Sequence, residues 1–129
     1  MNPDEAELLR LGDAQYLLLT TYRKDGTPVA TPLWVVRDGD AVAVWTPTDS
    51  WKVKRIRRNP KVEVAPCEFN GKPTGEAVPG TAEILDGDAT ERVRGAIKQK
   101  YGIMGRITMF GSRLRRGTAG TVGIRVTLG

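Results

Sequence analysis

The densest chemistry in the sequence lies between Thr46 and Lys61. Thr46-Pro47-Thr48-Asp49-Ser50 places three hydroxyls ahead of Trp51-Lys52-Val53-Lys54-Arg55-Ile56-Arg57-Arg58-Asn59-Pro60-Lys61. From Lys52 to Lys61 there are six basic residues and no acid, more than the net charge of +5 on the whole chain. The hydroxyl cluster predicts a helix over about 50–59. Pro60 ends it, because the residue before a proline avoids the helical region. The macrodipole makes a helix N-terminus partly positive, so basic residues there do not serve the helix itself. Cap hydroxyls, free backbone N–H groups and a lysine two residues in do suit an anion. Thr46, Thr48, Ser50 and Lys52 can all face one phosphate. The same pattern also reads as a solvated basic helix whose hydroxyls only cap it.

A second segment is Val29-Ala30-Thr31-Pro32-Leu33-Trp34-Val35. A proline inside a strand removes a ladder donor and favours an edge or a bulge. A flat ligand can lie against such a strand, with Trp34 as an apolar wall. The plain alternative is an edge strand with a core tryptophan. Cys67, the single cysteine, reads as a small buried hydrophobe. Tyr16, Tyr22 and Tyr101 are possible proton donors, with packing as the simpler role.

The absence of histidine excludes a Ser-His-Asp triad, a Cys-His pair and an imidazole base. With one cysteine as well, zinc ligation has almost no ligands to use. If the chain is an enzyme, a bound organic cofactor is the natural carrier of its chemistry. The positive balance points to an anionic partner: nucleic acid, a membrane surface or a phosphorylated small molecule.

The elements that must position these residues fit one domain of 129 residues. Residues 4–12 read as a helix with Leu8, Leu9 and Leu11 on its apolar side. Strands are predicted from Tyr16 to Tyr22, over 28–37 and over 41–46, joined by turns at Asp25-Gly26 and Asp38-Gly39. Together these make a three-stranded meander. Further strands follow over 61–69 and 76–85, the second with a bulge or edge at Pro79-Gly80. Asp88 and Glu91 open a helix as a capping box variant. Val93, Ile97 and Tyr101 continue that helix, and Gly102 is its C-cap. Ile103, Ile107, Phe110 and Leu114 suggest another amphipathic helix. Thr121 to Leu128 is a half-buried last strand. The class is α+β, a six-stranded antiparallel barrel. No apolar run spans a bilayer, and the acidic start lacks the pattern of a secretory signal. A cytoplasmic setting is therefore expected.

At these residues the chain resembles the flavin/deazaflavin oxidoreductase superfamily, which includes pyridoxamine 5′-phosphate oxidase-like proteins. The resemblance rests on Tyr16–Thr21, on Asp25–Trp34, on Ser50–Pro60 and on Ala65-Pro66-Cys67. It extends to Lys100-Tyr101-Gly102, Arg113–Gly117 and Val122–Arg125, and so covers nearly the whole chain. It implies a split β-barrel of the FMN-binding type, a homodimer, and cofactor sites in grooves at the subunit interface. By the same resemblance Ser50 and Lys52 match a phosphate-binding Ser-x-Lys, with Thr46 and Thr48 leading into it. Lys54 and Arg55 are weaker candidates. Thr31, Pro32, Leu33 and Trp34 match the strand that lines the ring. The branch it resembles implies coenzyme F420, with FMN as the alternative and hydride transfer to a small conjugated acceptor as the reaction. Basic residues at 106 or 113–116 are candidates for the glutamyl tail. The Arg-x-His substrate motif of the oxidases themselves is absent. A single-stranded nucleic-acid-binding barrel and an F420 carrier without turnover are the competing readings. Against the nucleic-acid reading, the basic residues are not interleaved with aromatics on a sheet face.

Overall fold

The computed structural model describes the backbone of residues 3–116 and 120–129, and the side chains of residues 5–102 and 120–129. Helix α1 (Pro3–Gly12) comes first, then β1 (Tyr16–Tyr22), β2 (Pro28–Leu33), β3 (Val35–Asp38) and β4 (Ala41–Pro47). Helix α2 (Trp51–Arg58), β5 (Lys61–Cys67), β6 (Val78–Ile84), α3 (Gly87–Arg116) and β7 (Thr121–Leu128) complete the chain. The seven strands form one antiparallel sheet in the order β2-β1-β5-β6-β7-β4-β3.

That order corrects the meander. The expected strand over 28–37 is two strands, broken at Trp34, so the count is seven rather than six. β2 pairs with β1 at one edge, and β3 pairs with β4 at the other. The middle strand of a meander is bonded on both sides, and Pro32 has no N–H to give. The chain instead uses each half as an edge. Because β2 and β3 are separated by Trp34 alone yet occupy opposite edges, the sheet must curl until its edges meet. This is the split barrel the resemblance implied.

Alternation along the strands fills the inside. Leu17 and Leu19 of β1, Val42 and Val44 of β4, Val62 and Val64 of β5 and Ile124 and Val126 of β7 share one buried cluster. Leu8 and Leu11 of α1 join that cluster, as do Val53 and Ile56 of α2. A second cluster, Val36, Ala43, Val93 and Ile97, seats α3 on the outside of β3 and β4, with Trp34, Trp45 and Tyr101 against it.

Other sequence expectations shift by small amounts. Helix α3 is capped by Asp86 rather than Asp88: its carboxylate accepts the Ala89 N–H at 2.9 Å. Gly102 does end a helical stretch, with φ 60° and ψ −136°, and a further stretch to Arg116 follows the kink. The apolar spacing of Ile103, Ile107, Phe110 and Leu114, like the basic residues at 106 and 113–116, falls outside the described side chains. β6 is an interior strand despite Pro79. That residue sits where β7 runs out, since their pairing begins at Gly80 with Leu128. Among the described residues no helix is long and apolar enough to cross a membrane.

Candidate functional site

The two candidate segments converge at the seam of the barrel. Val35 pairs with Val44 across β3 and β4. Extending that register by two residues leads to Leu33 and Thr46 side by side. There the ladder has parted, because β2 has swung away to pair with β1, yet β2 and β4 still touch. Thr31, Pro32 and Leu33 lie on β2 opposite Leu19, Leu18 and Leu17. Thr46 sits near the end of β4, and Ser50 begins α2 after a turn closed by the Ser50 N–H on the Pro47 carbonyl at 3.2 Å.

Burial and bonding mark this turn as unusual. Thr46 is 1% exposed. Its Oγ1 and the Ser50 Oγ are both buried and have no hydrogen-bond partner. A lone buried hydroxyl costs about 1–3 kcal/mol. Ser50 is the N-cap of α2, yet its side chain makes no cap bond. The structural reading of these hydroxyls as caps therefore fails at Ser50. Lys52, two residues further, is half-buried, and its pKa is lowered by desolvation and then by the Arg55 charge. Thr48 is tied by its N–H to the Gly120 carbonyl at 3.0 Å. Two unsatisfied hydroxyls, a helix N-terminus and a desolvated ammonium are a donor set that fits a phosphate.

The rest of α2 is basic on its outer side. Arg55 Nε donates to Thr21 Oγ1 at 2.7 Å, and Arg58 donates to the Tyr22 carbonyl at 2.6 Å. The Lys54 ammonium lies 4.4 Å from the centre of the Trp51 ring. Trp51 itself is 70% exposed.

Trp34 stands at the strand break with one ring face covered by Tyr101. The Tyr101 hydroxyl accepts the Val35 N–H at 2.9 Å and donates to the Gln15 carbonyl at 2.8 Å. Lys100 gives its three protons to three carbonyls, Gly12 at 2.8 Å and Ala14 and Val35 at 2.7 Å. The end of α1 and the β2–β3 break are thus held by two consecutive residues of α3. A cation at the C-terminal carbonyls of α1 also suits that helix's dipole. The clamp is not legible in the sequence, where Tyr101 reads as a packing residue or a proton donor.

With this geometry described, comparison with known proteins is decisive for the family. The model of the pyridoxamine 5′-phosphate oxidase family matches residues 3–126. The chain belongs to this family. Its members share a flavin-binding oxidoreductase fold. Among solved structures, a conserved hypothetical protein of Mycobacterium tuberculosis is 20% identical with TM-score 0.73, covering 99% of this chain and 81% of its own. A structure described as an F420 reductase is 21% identical with TM-score 0.62, covering 93% and 90%. A haem storage protein of Vibrio cholerae is 14% identical with TM-score 0.67, covering 99% and 89%. At these identities the likeness is one of fold. No curated protein matches the chain.

Proposed function

We propose that this family member is an F420-dependent oxidoreductase, acting as a reductase on a small conjugated acceptor. The observation that carries the cofactor-binding part is the pair of buried, partnerless hydroxyls of Thr46 and Ser50 beside the half-buried Lys52. In this reading Thr46, Thr48, Ser50 and Lys52 hold the phosphodiester. Lys54 and Arg55 add positive field. Thr31, Pro32 and Leu33 line the ring along the open side of β2, with Trp34 at the break beyond its end. The deazaflavin supplies a hydride; the chain's own residues bind it, orient it and exclude water. The similarity in fold to an F420 reductase supports the choice of cofactor. FMN offers a phosphate to the same residues and is the alternative.

The protein works, in the same proposal, as a cytoplasmic homodimer with its cofactor grooves between subunits. Apolar residues left accessible on β1 and in the loop after β5 support this reading. Leu18 of β1 is only part-buried, and Phe69, in the loop between β5 and β6, is 74% exposed. A single-stranded nucleic-acid-binding barrel and an F420 carrier without turnover are weighed by the same experiment. The purified protein is titrated with F420 and FMN, following tryptophan fluorescence, and then assayed for acceptor reduction. Tighter binding of F420, weakened about fivefold or more in Lys52→Ala, is expected. No binding of either cofactor overturns the cofactor assignment. Binding without reduction of any acceptor leaves the carrier.

A further inference from the structure

The turn between β1 and β2 brings a third arginine to α2. The Arg23 N–H bonds the Thr27 carbonyl at 2.9 Å, closing a tight turn that leaves the Arg23 side chain exposed. Arg23, Arg55, Arg58 and the exposed Trp51 together line one surface cleft. Among the described residues none of these three guanidiniums pairs with a carboxylate. Among the described residues they donate to the neutral Thr21 hydroxyl and the Tyr22 carbonyl.

Elsewhere on the molecule arginines are matched with acids. Arg125 bonds both Asp38 and Asp40, Arg92 bonds Asp38, and Arg37 bonds Glu5. Among the described residues Arg57 also has no carboxylate partner; what sets Arg23, Arg55 and Arg58 apart is that they line one cleft. The neighbours Arg23 and Arg58 each act against the charge of Arg55, which burial also disfavours. Asp25 acts on Arg23 from the same turn, but no carboxylate pairs directly with any of the three. Like charges held this close raise the energy of the free protein, and an anion relieves it.

We propose that Arg23, Arg55 and Arg58 form a second anion subsite, distinct from the hydroxyl turn at Thr46–Ser50, for an oxyanion group carried as a phosphoryl or a carboxylate. Guanidiniums suit this task because each offers a planar pair of donors to two oxygens. Trp51 forms a wall of the cleft, so its indole reports occupancy. Arg55 is shared with the proposed cofactor site, where it adds positive field, while Arg23 and Arg58 belong to this cleft alone, so their substitution tests the subsite separately.

The test isolates the cleft by using Lys52→Gln as the background, which removes the lysine of the neighbouring turn. The ¹⁵N-labelled protein is titrated with inorganic pyrophosphate and, separately, with citrate at low salt, following the Trp51 indole N–H resonance assigned through Trp51→Phe. A saturating shift with either probe is expected, and the tighter probe tells whether phosphoryl or carboxylate is preferred. Arg23→Gln with Arg58→Gln should weaken binding by about tenfold or more, as losing charge-assisted bonds at two positions implies. Both residues are exposed, and Arg23→Gln alone repeats the test should the double variant fold poorly. A shift that never saturates with either probe overturns the subsite. So does an affinity unchanged by the arginine substitutions.

Discussion

The rings of Trp34 and Tyr101 stack with centroids 4.5 Å apart and planes 11° from parallel. The relationship joins the strand break in the barrel wall to the helix that covers it. Tyr101 also holds the Val35 N–H and the Gln15 carbonyl through its hydroxyl. Tyr101→Phe keeps the stack but leaves the Val35 N–H without its partner. A loss of about 1–3 kcal/mol is expected from urea unfolding. Tyr101→Ala removes the stack as well and should cost more, with about 0.5–1.5 kcal/mol of the difference from the ring pair itself. Equal stability of the two variants would mean that the stack contributes nothing.

The same hydroxyl sets a pH limit. Burial pushes the Tyr101 pKa up to about 12 from an ordinary value of 10.0. Between those values the folded chain keeps a proton that the unfolded chain releases. Stability from this group is therefore present below pH 10 and is lost as pH rises toward 12. Unfolding measured across that range should show a decline that Tyr101→Phe removes in part. Phenolate absorbance should show one tyrosine ionising late in the wild type and missing from the variant.

Much of the wall was legible because alternation along β1, β4, β5 and β7 reports directly which side is buried. The break at Trp34 was not. It depends on which neighbours each half of the 28–37 segment finds, and local propensity carries no such information. Pro32 is the signal there, but an edge or a bulge at one residue does not imply that both halves of the segment are edges. The basic residues of α2 were legible as a group. Their division between a hydroxyl turn and an arginine cleft was not, because Arg23 reaches the cleft from a turn far away in sequence. Lys100 was hidden for the same reason: its three carbonyls come from residues near 12–14 and from Val35.

Gly80 tests the closeness of β6 to the end of β7. A Cβ there would lie 2.8 Å from Val126 Cγ1 and 3.0 Å from the Thr127 carbonyl oxygen. The carbonyl belongs to a paired strand and has no easy way to yield. Gly80→Ala should destabilise by roughly 1–3 kcal/mol, the ordinary cost of overpacking. Gly95→Ala, where a Cβ meets nothing within 4 Å, should not destabilise. Both are checked by thermal unfolding, and a neutral Gly80→Ala would refute the close approach.

Lys52 gives the anion site a pH dependence. Desolvation lowers its pKa below the usual 10.5, and the Arg55 charge adds to this. Its charge is present at low pH and is lost earlier than that of an ordinary lysine as pH rises. Affinity for a phosphate-bearing ligand should therefore fall on the alkaline side, below pH 10.5. Lys52→Arg should bind with a flatter profile, because a guanidinium stays charged throughout. An identical alkaline fall in the arginine variant would assign it to another group.

Thr46 separates binding from stability most sharply. Its hydroxyl is buried without a partner in the ligand-free chain, so it is a cost there. Thr46→Val keeps the shape and removes the oxygen. The free protein should be as stable as the wild type or more stable, by up to about 1–3 kcal/mol. The same change should weaken a phosphate-bearing ligand, because one donor is lost. Ser50→Ala should behave alike, since the Ser50 hydroxyl makes no cap bond that its loss would break. An ordinary N-cap serine would instead cost about 1 kcal/mol on replacement. Thermal unfolding with and without F420 reads both effects in one experiment, as the shift produced by the ligand shrinks while the ligand-free midpoint holds or rises. A fall in the ligand-free midpoint with an unchanged ligand shift would make these hydroxyls structural and would remove them from the site.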